Sequence, residues 1–112
     1  MAANDQQAHI IARLAALIEQ RKLESPDSSY VARLHHQGRA KIAQKVGEEG
    51  VETALAGVGE DSDKLVLETA DLWFHSLVLL SAANRRPEEV FAELERRFGL
   101  SGLDEKASRA QD

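Results

Sequence analysis

Five carboxylates stand at helical spacing in the middle of the chain: Glu48, Glu49 and Glu52 in KVGEEGVET, then Glu68 and Asp71 in LVLETADLWFH. Residues three or four apart share a helix face, so Glu49 pairs with Glu52 and Glu68 with Asp71, while Glu48 also overlaps Glu52. Two such helices packed antiparallel through a short loop bring both acid pairs into one cage. That cage offers oxygen ligands to a hard cation such as Mg²⁺, which typically keeps waters and recruits substrate phosphates. An acidic triplet alone is ordinarily a solvated helix face. The second pair is different, because Leu65, Val66, Leu67, Leu72 and Trp73 surround it and an unpartnered carboxylate is costly to bury. The residues by themselves leave a metal site and a solvated acidic face both open.

Basic and aromatic groups flank the acids. Lys41 and Lys45 precede Glu48 on the same stripe, either as phosphate contacts or as intrahelical ion pairs worth only tenths of a kcal/mol. His75 follows Asp71 by four residues and reads either as a partner holding a ligating carboxylate in place or as a hydrogen-bonded core histidine. Tyr30, in SSYVARL, lines a substrate pocket or packs with a wet hydroxyl. His35 and His36 read as a polar helix end.

These groups must be positioned by a small fold. The chain has 112 residues, enough for one domain with a modest core. It has no cysteine, which removes disulfides, thiolate zinc sites and a cysteine nucleophile and suits a reducing compartment. The formal net charge of −5 argues against a general nucleic-acid binder, yet a metal held by the acids can still favour an anion. The apolar run Leu72 to Leu80 is too short to span a bilayer, and MAANDQQAH is no signal segment. The expectation is a soluble cytoplasmic protein without membrane or nucleic-acid partners.

The pattern is all-α. One amphipathic helix runs from about Gln6 to Leu23, with Ile10, Leu14, Leu17 and Ile18 inward, and ends before Pro26. Ser28-Ser29 caps a short helix that Gly38 terminates. The next spans about Arg39 to Ala56, with Gly47 and Gly50 pointing to close approach of another backbone. Gly57 to Ser62 reads as a loop, and the following helix continues to about Asn84, apolar nearly all round. Pro87 opens a last helix with Val90, Phe91, Leu94 and Phe98 inward. Residues 1–100 thus form the domain and 101–112 a polar tail. Trp73, Phe74, Leu77 and Leu80 carry more apolar surface than one protomer covers, so a homodimer or larger homo-oligomer is expected.

The spelling EExxE, then ExxD, resembles the MazG-like all-α NTP pyrophosphatase superfamily. Three stretches narrow the likeness: RKLESPDSSYVARL, GRAKIAQKVGEEGVETALA, and LETADLWFHSLVLL with AELERRF after it. Together they resemble the phosphoribosyl-ATP pyrophosphatase family over about residues 10 to 98. The resemblance implies an all-α bundle that hydrolyses 1-(5-phosphoribosyl)-ATP to 1-(5-phosphoribosyl)-AMP and pyrophosphate in histidine biosynthesis, using Mg²⁺ or in its place Mn²⁺. Carried over by residue, it makes Glu49, Glu52, Glu68 and Asp71 the metal ligands and Glu48 a second-metal ligand or the group orienting water. Phosphate contacts fall first to Lys41 and Lys45, then to Arg21, Lys22, Arg96 and Arg97. Two departures are mild: Gly50 replaces a commoner Ala or Ser, and Trp73-Phe74 a more usual Leu-Tyr. A general NTP or dNTP pyrophosphatase on the same scaffold and a non-catalytic helical dimerisation module are the alternatives. A ferritin-like di-iron protein wants Glu-x-x-His motifs on two helices, which are not spelled here.

Overall fold

The computed structural model describes residue 7 and residues 9–99, so the tail at 101–112 lies outside the described residues. Five helices and no strand make up the described part. They are α1 (Ile10–Arg21), α2 (Tyr30–Gln37), α3 (Arg39–Val58), α4 (Ser62–Ala82) and α5 (Pro87–Phe98). Local signals set most of the ends. The Ser29 hydroxyl accepts from the Ala32 N–H at 3.1 Å, capping α2. Gly38, at φ 103°, closes α2 and opens α3 in one residue, a turn that disfavours any side chain. Pro87 occupies the first turn of α5, and Glu89 accepts from the Arg86 N–H at 2.9 Å.

Between α3 and α4 the loop is shorter than its glycines suggest. α3 continues through Gly57 to Val58, and Asp61 caps α4, its carboxylate accepting from the Asp63 and Lys64 N–H groups. The tight connection makes α3 and α4 an antiparallel hairpin with the most extensive helix contact in the chain. α1 and α2 pack across it. The core is Ile18, Leu34, Ile42 and Val78, one residue from each of the first four helices, with Val31 and Leu77 beside them.

Several apolar residues expected inside are not covered by one chain. Leu77 is buried and Phe74 half-buried, but Trp73 is 58% exposed and Val66 and Leu67 are exposed as well. The reason is that only α3 runs along most of α4, so α4 lacks a neighbour on its remaining faces. On α5 only Pro87 is buried; Val90, Phe91, Leu94 and Phe98 are exposed, as are Ile10 and Leu17 of α1. Nor does any backbone approach Gly47 or Gly50, since a Cβ at either would meet nothing within 4 Å among the described residues. By length and composition α4 could cross a membrane, being longer than the apolar run Leu72 to Leu80, which His75 and Ser76 break. It carries Glu68, Asp71 and a buried His75 against α3, the arrangement of a bundle helix.

Candidate active site

The two central helices meet in descending register: Glu49 faces His75, Thr53 faces Glu68, and Gly57 faces Leu65. The Thr53 hydroxyl lies 2.7 Å from the Glu49 carbonyl and 3.2 Å from the Glu68 carbonyl. It has one proton to donate, so it is shared between the two main chains and fixes their axial alignment at the acids. The sequence reading did not single out Thr53. Its signal was a hydroxyl one turn after Glu49, a spacing that lets it bond back to the helix.

His75 is buried. Its Nδ1 lies 3.0 Å from the Asp71 carbonyl and 2.5 Å from Glu49 Oε1, and its Nε2 lies 2.9 Å from the Tyr30 hydroxyl. The pattern assigns the proton to Nδ1, donated to the Asp71 carbonyl, with Nε2 accepting from Tyr30. Glu49 Oε1 is therefore close to the ring without receiving a hydrogen bond, and it is buried with no donor. Glu68 Oε2 is in the same condition. Buried polar atoms without partners are rare, and here there is one on each helix of the hairpin.

Electrostatics agree with the geometry. Burial raises the Glu49 carboxyl above its ordinary range; His75, when its ring is protonated, and the Lys45 charge oppose that rise, while Asp71 and Glu52 add to it. Glu68 is raised first by the Glu52 carboxyl, which can hydrogen-bond to it when one of the two is protonated, then by burial and by the Glu52 and Asp71 charges. Four carboxylates thus repel one another across the hairpin. Such a donor set fits a divalent cation, whose charge would relieve the repulsion and occupy the orphaned oxygens. Among the described residues no three Asp, Glu or His groups already converge as a finished metal shell.

The burial is less complete than the apolar stretch around the second pair suggests. Glu49 and Glu68 are half-buried, but Asp71, Glu52 and Glu48 are exposed in the single chain. Residues 11–98 match the family model described as phosphoribosyl-ATP pyrophosphohydrolase. The chain belongs to that family. The match runs from the start of α1 to the last residue of α5, so the family unit and the helical bundle are the same unit. Phosphoribosyl-ATP pyrophosphohydrolases are hydrolases of a phosphoric anhydride in histidine biosynthesis and typically use a divalent metal.

Other residues expected at a phosphoribosyl-ATP pyrophosphohydrolase site are distributed unevenly. Lys45 is half-buried and its charge acts on Glu49; Lys41 is exposed one turn earlier on α3. Tyr30 reaches the acids only through His75, and its ring stacks on Phe74 at 6.2 Å. Arg21 and Lys22 are engaged elsewhere, with Glu24 and Glu19, and Arg96 and Arg97 both converge on Glu93 within α5. These four are not brought to the acid face by the single chain.

A pH effect follows with a definite sign. The metal-free fold holds protons on Glu49 and Glu68 that the unfolded chain releases at lower pH, so stability falls as pH rises from the ordinary glutamate range through the raised values. Glu68→Gln is expected to raise the melting temperature of the metal-free protein at neutral pH and to flatten its decline above mildly acidic pH. Thermal unfolding in chelator across that range checks it; a variant that melts lower than wild type at neutral pH contradicts the repulsion.

Proposed function

We propose that this chain hydrolyses 1-(5-phosphoribosyl)-ATP to 1-(5-phosphoribosyl)-AMP and pyrophosphate at the acid face of the α3–α4 hairpin, in the cytoplasm. The observation that carries this reading is the pair of buried carboxylate oxygens without donors, Glu49 Oε1 on α3 and Glu68 Oε2 on α4, in a chain of this family. Glu49, Glu52, Glu68 and Asp71 would hold Mg²⁺, with Mn²⁺ as a substitute. When bound, the ion supplies neutralisation of phosphate charge and acidity for water.

The chain's own residues do the positioning. His75, fixed by the Asp71 carbonyl and the Tyr30 hydroxyl, limits where the Glu49 carboxylate can sit. Glu48, exposed beside the face, orients the water or serves a second ion. Lys41 and Lys45 take phosphate oxygens as point charges. Water forms a new P–O bond as the anhydride bond between the α and β phosphorus atoms breaks, and pyrophosphate leaves without a covalent protein intermediate.

Pyrophosphate release from phosphoribosyl-ATP, measured beside ATP and dNTPs with and without Mg²⁺, tests the reading. Fast release from phosphoribosyl-ATP alone, and only with Mg²⁺, is expected. Equal turnover of ordinary nucleotides would make the chain a general NTP pyrophosphatase, and no turnover with any of them would return it to a non-catalytic module.

Assembly belongs to the same proposal. Trp73, Val90, Phe91 and Leu94 line an apolar groove of about 430 Å³ between α4 and α5, and a second copy of the chain covers that surface. Sedimentation at micromolar concentration is expected to show a dimer or larger species, and Trp73→Glu to shift it toward monomer. A compact wild-type monomer refutes the assembly.

A further inference from the structure

At the loop end of the hairpin, a cavity of about 440 Å³ is lined by Glu52, Gly59, Glu60, Asp61, Lys64 and Glu68 among others. Lys64 is its one basic lining residue. It stands one turn before Glu68 on α4, and its charge acts on the Glu68 carboxylate. Among the described residues its ammonium forms no ion pair within 4 Å, although four carboxylates line the same cavity. Asp61 is already committed to capping α4. A lysine kept among acids without closing on any of them is available to a ligand that carries its own negative charge.

The hairpin gives this end a different character from the other. Beyond Glu49, His75 leads to the Tyr30 ring and its Phe74 partner, a half-exposed aromatic surface suited to a base or ribose. Beyond Glu68 lies the loop-end cavity, where Leu55 and Ala56 join the acids and Lys64 in the lining. Lys45 and Lys64 therefore bracket the acid face, the first acting on Glu49 and the second on Glu68.

We propose that Lys64 binds the pyrophosphate end of the substrate, so that the polyphosphate lies along the acid face with the nucleoside toward Tyr30 and the leaving pyrophosphate in the loop-end cavity. This deepens the proposed function and rests on it for the identity of the substrate. The cavity is large enough for an inorganic diphosphate with its waters. With a cation held by the carboxylates, Lys64 would add a compact positive charge for the diphosphate oxygens.

Calorimetric titration of inorganic pyrophosphate in Mg²⁺ into wild type, Lys64→Ala and Lys64→Arg tests the assignment, with Mg²⁺ alone titrated in parallel. Lys64→Ala is expected to weaken pyrophosphate binding about tenfold or more, with Lys64→Arg recovering most of it. Mg²⁺ affinity should stay level or tighten in Lys64→Ala, because a nearby positive charge has gone. A residue that only steadied the fold would weaken both ligands together. Wild-type affinity for pyrophosphate in Lys64→Ala overturns the assignment, as does a wild-type protein that binds no pyrophosphate. If Lys64-dependent pyrophosphate binding is found but phosphoribosyl-ATP is not hydrolysed, the Lys64 site stands and the substrate reading falls; hydrolysis with Lys64-independent binding is the reverse.

Discussion

Glu49→Gln is expected to lower kcat/KM for phosphoribosyl-ATP by about 10²- to 10³-fold or more while the bundle stays folded. The swap keeps the shape of the side chain and removes the charge of the carboxylate whose Oε1 lies buried without a donor. Because burial and the neighbouring acids already disfavour that charge, its removal should leave the metal-free protein at least as stable. The combination matters: catalysis collapses while the melting temperature in chelator is level or higher. Activity near wild type at saturating Mg²⁺ would remove Glu49 from the metal-binding set. Loss of activity accompanied by unfolding would instead make the Glu49 contact with His75 structural.

A comparably large effect, on folding alone, is expected from Ile42→Ala. Ile42 is 0% exposed and sits with Ile18, Leu34 and Val78 where the first four helices meet. Truncating such a residue removes its transfer free energy and leaves a cavity, together about 3 kcal/mol. For a domain of this size that lowers the melting temperature by roughly 12 to 24 °C. Leu23→Ala is the matched control: Leu23 is 83% exposed, and its loss should stay within about 0.5 kcal/mol. Thermal scans of both variants at one protein concentration decide, since assembly would add to the stability of each. An Ile42→Ala protein that melts within a few degrees of wild type would mean that the core can collapse onto the gap.

The placement of helices was largely legible in the sequence. Ser29, Gly38 and Pro87 act within one turn of themselves, so their effects as caps and breakers do not depend on distant residues. The acid spacing was legible for the same reason, since helical periodicity alone puts Glu49 with Glu52 and Glu68 with Asp71 on shared faces. Where local chemistry was ambiguous the reading slipped. Gly57 looked like loop but lies inside α3, because helix propagation past one glycine costs only about 1 kcal/mol and Gly59 was there to end it.

Which faces are covered was decided only by the tertiary structure. Periodicity identifies an apolar stripe, but not whether a neighbour reaches it; thus Leu77 is buried while Trp73 and the apolar side of α5 are open. The axial alignment of α3 against α4 is likewise a property of two helices. It is fixed by Thr53, which bonds back within α3 and also reaches the Glu68 carbonyl, and by His75 meeting Glu49, contacts across the hairpin between residues 15 or more positions apart. That alignment leaves one buried carboxylate oxygen orphaned on each helix and sets Lys64 into the loop-end cavity. The sequence by itself determined which acids share a helix face, because residue types and helical spacing are local. The packing of the hairpin decided which of them meet and how deeply, because burial and unmet hydrogen bonds exist only once two surfaces have come together.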